Sequence, residues 1–191
     1  LDALDAEGIA DETAIVFYSD NGGNIHCGLE ETDAEGENYI TAITSNYPLR
    51  GGKGNIREGG IRVPAVVVWP GVATPGSRSD VRIQSTDLYP TILRMLNVER
   101  PKEHVVDGVD FTNALLGEEM DRGPMFTFVP SHGNTSEWLP PAMAVHDGDW
   151  KLIRIFHYGE DGNHDYRLYN LREDIGEQHD LAATHPEIVR S

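Results

Sequence analysis

The sequence SDNGG at residues 19–23 and the sequence LRGGKGNIREGGIRVP at residues 49–64 decide how this chain is interpreted. The first places a carboxylate, Asp20, beside an amide, Asn21, directly after an apolar run. The second surrounds a single lysine, Lys53, with five glycines and three arginines. Carboxylate and amide oxygens suit a hard cation such as calcium, and a lysine flanked by glycines can approach an oxyanion closely. Together the two stretches predict a metal site beside an anion site.

The charge of the chain excludes some classes of ligand. Its 191 residues include 15 basic and 32 acidic side chains, which give a formal net charge of −17. This excess argues against general nucleic-acid binding, which needs a basic face. No apolar run is as long as a membrane span, so none is predicted. Local charge still favours an anionic ligand near residues 50–62, which contain four cations: Arg50, Lys53, Arg57 and Arg62.

The pattern of apolar residues predicts an α/β fold for the first part of the chain. Residues 13–18 and 64–69 are short, unbroken apolar runs, typical of buried strands in a parallel sheet that is covered on both faces. The polar segment 22–46 lacks periodicity and is predicted to be a long loop. A helix is predicted over residues 85–96. Ligands collect beyond the carboxyl ends of parallel strands, where Asp20 lies.

The pattern changes near residue 120 to that of a small antiparallel sheet. Strands are predicted at residues 125–129, 142–146, 150–156 and 166–171. The sequence DGD at 147–149 is a hairpin turn signal between the two middle strands. The chain is therefore expected to divide into residues 1–120 and residues 121–191.

Taken singly, the candidate site residues have simpler explanations. An Asp-Asn-Gly sequence is more often an Asx turn, and a lysine in a glycine-rich loop is more often a solvated surface residue. His132 lies in a loop, PSHGN at 130–134, that could reach a cleft. No histidine has the spacing of a zinc ligand, and Cys27 has no partner histidine at a recognisable offset.

Five motifs in order carry a family resemblance, and together they are far more specific than any one of them. The chain resembles the sulfatase family, of the arylsulfatase type within the alkaline-phosphatase-like superfamily. The resemblance covers nearly the whole chain. Its motifs are YSDNGG at 18–23, GKG at 52–54 leading into EGGIRVP at 58–64, TDLYPT at 86–91, DGDWKLI at 147–153, and LYNL at 168–171 followed by GEQHDL at 176–181.

The resemblance implies a fold and a chemistry. Residues 1–120 would be the C-terminal part of the catalytic α/β domain, with a partial doubly wound sheet, and residues 121–191 a small antiparallel α+β subdomain. Sulfatases hydrolyse sulfate monoesters with a formylglycine and one Ca²⁺, which is held by two upstream aspartates and by the pair matched here by Asp20 and Asn21. Lys53 matches the catalytic lysine that contacts the sulfate. His132 and Arg50 are candidate substrate-binding residues.

The same resemblance suggests partners and a location. The substrate would be a sulfated small molecule or, because the polar loops could line an extended cleft, a sulfated glycan. The chain would pack against the remainder of the sulfatase domain. Sulfatases of this kind act in the periplasm, outside the cell or in the lysosome.

The sequence also departs from the family pattern. No Cys/Ser-X-Pro-X-Arg motif, the source of formylglycine, is present, since Cys27 is followed by GLEE. The chain begins at Leu1 without Met, and we expect it to be the C-terminal portion of a sulfatase whose nucleophile lies upstream. Two alternatives stay open: a phosphate or phosphonate ester hydrolase of the same superfamily, and a non-catalytic remnant that serves as a binding or structural module.

We predict that the 191-residue chain alone releases no sulfate and binds calcium poorly, because it lacks the nucleophile and the upstream aspartates. The measurement is sulfate release from sulfated sugars by ion chromatography, with calcium titration of the same sample. Sulfate release above that of a buffer blank would contradict the prediction.

Overall fold

A computed structural model describes residues 1–25, 28–32, 34–130 and 141–191. Contacts within the chain form two compact units, residues 1–18 with 65–123 and residues 19–64 with 124–191. Each unit combines two separate stretches of the chain, whereas the sequence predicted one division at residue 120. The domain boundary at residue 120 stays a prediction. In the described ranges, no helix has the length and apolarity needed to cross a bilayer.

The described ranges contain short helices and short strands. In chain order they are α1 (Asp2–Ala6), β1 (Ile15–Tyr18), β2 (Gly28–Thr32), β3 (Asn38–Ala42), α2 (Glu58–Ile61), β4 (Ala65–Val68), α3 (Leu88–Met95), α4 (Thr112–Leu115), β5 (Met125–Val129), β6 (Ala142–Asp147), β7 (Trp150–Ile155), β8 (Asp165–Asn170) and α5 (Pro186–Arg190). Turns of 3₁₀ helix lie at Ala10–Glu12, Ser85–Asp87 and Glu160–Gly162.

The first unit contains a two-stranded sheet whose direction differs from the prediction. Strands β1 and β4 pair antiparallel, with Ile15 opposite Val68. The expected parallel pairing is wrong for these strands. An apolar run predicts a strand, but it does not determine whether the neighbouring strand runs parallel or antiparallel to it. The expected burial is also absent, since Phe17 is 70% and Val66 56% exposed.

The helix predicted over residues 85–96 corresponds to the 3₁₀ turn Ser85–Asp87 and α3. The buried Asp87 lies at the junction of the two. The Asp87 carboxylate accepts hydrogen bonds from the backbone N–H groups of Gln84 and Val109. It also forms an ion pair with Arg122 at 2.8 Å. A fully buried carboxylate is stabilised only when its oxygens are paired in this way.

The second unit contains a hairpin where a loop was expected. Strands β2 and β3 pair antiparallel, with Gly28 opposite Ala42 and Thr32 opposite Asn38. The prediction of an unstructured 22–46 segment is therefore wrong. Consecutive aromatic and β-branched residues at 39–41 favour a strand, but the acidic residues around them obscured the signal.

The four-stranded sheet of the second unit has the order β5-β6-β7-β8, and all its pairs are antiparallel. The strands predicted beyond residue 120 are thus confirmed, including the turn between β6 and β7, where Gly148 adopts a φ of 51°. One face of this sheet forms the hydrophobic core. Its buried members are Ile56, Ala142, Ala144, Ile153, Ile155, Tyr169 and Leu171.

A cluster of buried charges joins this core to α2. The Lys151 ammonium is fully buried and lies 2.9 Å from Glu58 Oε1 and 2.9 Å from Glu177 Oε1. It also donates to the backbone oxygen of Ile56 at 2.9 Å. His146 Nε2 lies 2.8 Å from Glu58 Oε1, and Glu177 Oε2 accepts the Glu58 backbone N–H at 2.7 Å. Residues distant in sequence thereby fix the start of α2.

The surroundings of Glu58 decide its ionisation. Burial on its own would raise the pKa of this carboxyl, because a charged group loses hydration. The hydrogen bond from His146 and the positive charge of Lys151 outweigh burial and lower the pKa of Glu58 to about 2. Glu58 is therefore an ionised partner in the cluster.

We predict that Lys151→Met destabilises the protein by about 3–5 kcal/mol, because two buried carboxylates lose their counter-ion. The measurement is the free energy of unfolding in urea. Lys102→Met, at an exposed lysine of the first unit, is the matched control. The triple variant Lys151→Met/Glu58→Gln/Glu177→Gln should recover part of the loss, and a Lys151→Met protein as stable as the wild type would contradict the prediction.

We also predict an acid-sensitive contribution from Glu58. Its pKa in the folded protein lies below the ordinary value of 4.5, so its stabilisation is present above pH 4.5 and is lost as the pH falls towards about 2. The unfolding free energies of wild type and Glu58→Gln should therefore converge over that window. Glu118→Gln, at an exposed glutamate, controls for loss of one carboxylate, and a wild-type advantage over Glu58→Gln that is constant between about pH 6 and about pH 3 would refute this assignment.

Candidate active site

The Asp20-Asn21 pair lies directly after β1, as predicted. Ser19 Oγ donates to the Asn21 carbonyl at 2.8 Å, which makes the chain turn there. Asp20 is exposed and Asn21 half-buried. Within the described part of the chain, the Asp20 carboxylate accepts no hydrogen bond and forms no ion pair. It is thus available to a ligand.

The turn after Asn21 packs against the end of the glycine-rich stretch. The Gly22 N–H donates to the Gly60 carbonyl at 2.9 Å. A Cβ placed on Gly22 would lie 1.7 Å from the carbonyl oxygen of Gly59, so this close approach requires a glycine at residue 22. Backbone-to-backbone contact therefore fixes the distance between the two stretches.

Lys53 begins a tight turn in the same stretch. Its backbone N–H donates to the Gly23 carbonyl at 3.1 Å, two residues beyond Asn21. Its side chain is exposed and, among the described residues, forms no hydrogen bond or ion pair. The structure thus brings the backbone of the predicted catalytic lysine to Gly23, two residues after the predicted metal ligand Asn21.

The other three cations of the 50–62 cluster have structural partners. Arg50 Nη1 donates to the Glu177 carbonyl at 3.0 Å. Arg57 is buried and lies 3.3 Å from the hydroxyl of Tyr169. Arg62 pairs with Glu58 at 3.6 Å. Of this cluster, Lys53 is the member whose side chain forms no hydrogen bond or ion pair among the described residues, and the role of Arg50 in substrate binding stays a prediction.

Sequence reasoning missed Asn46, which holds the two stretches together. Its side-chain Nδ2 donates to the carbonyls of Gly23 at 2.9 Å and Gly51 at 3.0 Å. Its Oδ1 accepts the Gly23 N–H at 3.0 Å. The available signal was an asparagine just before a glycine-rich stretch, since Asn side chains often bind backbone groups.

The donor set at residues 20 and 21 fits a calcium ion in part. Asp20 and Asn21 offer oxygen donors, which calcium prefers, and calcium takes about 6–8 of them. Among the described residues, no group of three or more His, Cys, Asp or Glu side chains could hold a metal ion. The pair therefore suits calcium chemically but needs further ligands. His132, the remaining candidate, lies outside the described residues.

Two family models match the chain. The Sulfatase model matches residues 1–98, and the model for the C-terminal part of N-sulphoglucosamine sulphohydrolase matches residues 52–189. Both overlap the Lys53 stretch. Together the two models cover residues 1–189 of the chain.

Several characterised relatives are similar to the chain. A sulfatase of Formosa agariphila is 31% identical over 191 residues, which are 97% of this chain and 31% of that protein. Rat steryl-sulfatase is 35% identical over 142 residues, which cover 73% of this chain and 23% of that protein. An N-acetylgalactosamine-6-O-sulfatase of Bacteroides thetaiotaomicron is 28% identical over 199 residues, covering 100% of this chain and 37% of that protein.

Solved structures confirm the fold class. The crystal structure of Ps i-CgsB has a TM-score of 0.77 and 26% identity, covering 98% of this chain and 36% of that one. The sulfatase PsFucS1 from Pseudoalteromonas sp. has a TM-score of 0.63 at 24% identity, covering 98% of this chain and 37% of that one. The chain thus spans between 23% and 37% of the length of these relatives and structures. On its sequence motifs, its fold and both family models, the chain belongs to the sulfatase family.

Proposed function

We propose that this chain forms the C-terminal part of an enzyme that hydrolyses sulfate monoesters. The observation that carries the proposal is the convergence on Gly23. Its carbonyl accepts the Lys53 N–H at 3.1 Å, while the turn before it presents the Asp20 and Asn21 side chains. A free ammonium and a pair of free oxygen donors beside one backbone group suit a tetrahedral dianion and its metal ion.

The chemistry assigns a role to each residue. In the reaction, the ester S–O bond breaks and water is consumed, which yields an alcohol and inorganic sulfate. Lys53 binds a sulfate oxygen and stabilises the negative charge that grows on the departing alcohol oxygen. Its effect is strong because no protein carboxylate of the described chain competes for its charge.

Asp20 and Asn21 would hold the calcium ion through their side-chain oxygens. When bound, calcium supplies a positive charge that polarises a sulfate oxygen, and a formylglycine from outside this chain supplies the attacking oxygen. The contribution of this chain would be to orient Asp20 and Asn21, and the hydrogen bond from the Gly22 N–H to the Gly60 carbonyl, one residue after Asn21, supports this role.

We infer that the substrate is a sulfated carbohydrate. A relative that matches 100% of this chain is named N-acetylgalactosamine-6-O-sulfatase. A second structure of Ps i-CgsB, at 26% identity, contains k-i-k-neocarrahexaose. The steryl-sulfatase matches cover only 67–73% of this chain. We also propose that the enzyme acts in the periplasm, outside the cell or in the lysosome.

We predict that Lys53→Ala lowers kcat/KM for a sulfated N-acetylgalactosamine about 100- to 1,000-fold, because the charge on the transition state loses its cation. The measurement is sulfate release by the complete gene product with calcium present. Asp20→Ala should lose activity as well, and excess calcium should recover part of it.

Lys102→Ala and Asp80→Ala, at exposed residues of the first unit, are the matched controls. Equal activity of Lys53→Ala and Lys102→Ala would refute the role of Lys53. A wild-type enzyme that releases phosphate from the matching phosphate ester faster than sulfate would instead establish the phosphate hydrolase alternative. Binding of the sulfated sugar without turnover would support a non-catalytic remnant.

A further inference from the structure

The Asn46 side chain is hydrogen-bonded to backbone groups of two separate loops. Its amide and the peptide group of Gly23 exchange two hydrogen bonds, at 2.9 and 3.0 Å, as two paired strand residues would. The second Nδ2 proton reaches the Gly51 carbonyl at 3.0 Å. Both donors of the amide are used, and its oxygen accepts one bond.

The backbone groups that bind Asn46 lie close in sequence to the residues of the proposed site. Gly23 follows Asn21 by two residues, and Gly51 precedes Lys53 by two residues. The Gly23 carbonyl accepts from Asn46 Nδ2 and from the Lys53 N–H at 3.1 Å. One side chain therefore connects the backbone of the metal ligands to that of the lysine loop.

We propose that Asn46 is a positioning residue, which sets the spacing between the Asp20-Asn21 oxygens and the Lys53 ammonium. The inference rests on the proposed function for its catalytic meaning. It adds a residue to which sequence motifs gave no role and which need not touch substrate or metal.

The packing around the amide makes this spacing stiff. A Cβ on Gly23 would lie 2.8 Å from Asn46 Oδ1, and a Cβ on Gly52 would lie 3.0 Å from Asn46 Nδ2. A side chain at either glycine would displace Asn46, and neither loop can shift far without breaking a hydrogen bond to it. An error of about 1 Å in the placement of a catalytic group can cost about 100-fold in rate.

The chemistry of the amide suggests the decisive substitution. Asn46→Asp keeps the size and the acceptor but removes both donors, and it places a carboxylate oxygen against the carbonyls of Gly23 and Gly51. Repulsion should then separate the two loops. Asn113→Asp makes the same chemical change at an exposed position of α4, and it is the matched control.

The first measurement is hydrogen–deuterium exchange of the complete protein, which does not depend on activity. We expect Asn46→Asp to speed exchange in the segments 20–25 and 49–54 together, while β7 keeps its protection. Unchanged exchange in both segments, or faster exchange in one alone, would overturn the proposal. Uniformly faster exchange that includes β7 would also overturn it, because it would show a general loss of stability.

The second measurement separates this proposal from the proposed function. We expect Asn46→Asp to raise the Kd for calcium about 10-fold and to lower kcat about 10- to 100-fold even at saturating calcium. Wild-type kcat and calcium affinity in Asn46→Asp would overturn the positioning role. If the wild type itself released no sulfate, the proposed function would fail, and the exchange experiment would still decide whether Asn46 couples the two loops.

Discussion

The buried ammonium of Lys151 is the interaction on which the second unit depends. It lies between two carboxylates, one on α2 and one in the C-terminal segment, and it also binds the backbone oxygen of Ile56. The free energy of burying three ionised groups is unfavourable unless each finds a partner. A cluster of this kind therefore tolerates few alternative arrangements, and the four-residue helix α2 is held in place through the contact of its first residue, Glu58, with Lys151 of β7.

The consequence reaches the candidate site through the backbone. Helix α2 contains Gly59 and Gly60, whose backbone groups bind Arg50 and Gly22. The buried charges thus hold α2, and the backbone of α2 binds the segments that carry the exposed Asp20 and Lys53. In this arrangement the cations nearest Lys53 serve the framework. Lys53 is then the cation of this stretch whose side chain has no partner among the described residues.

Local patterns in the sequence were sufficient for much of the fold. The turn at residues 147–149, the strands on either side of it and the position of Asp20 after β1 all follow from short-range signals. The direction of β4 relative to β1 does not, because pairing depends on residues distant in sequence. The β2–β3 hairpin was missed because acidic residues in β2 and between the two strands obscure the strand pattern.

The candidate site was predictable in its chemistry but not in its construction. Asp20, Asn21 and Lys53 belong to motifs that can be read directly. The partners of Glu58 lie 88 and 93 residues away along the chain, and no local sequence pattern predicts them. Asn46 binds a glycine 23 residues away, so its role also emerges only in three dimensions.

The hydrogen bond from Arg50 to the Glu177 carbonyl has a consequence for how such chains can recombine. Together with the Lys151 ion pairs, it links residues 19–64 to residues 124–191, which form one compact unit although residues 65–123 separate them in the sequence. A crossover that exchanged only the C-terminal sheet between relatives would leave mismatched partners on both sides.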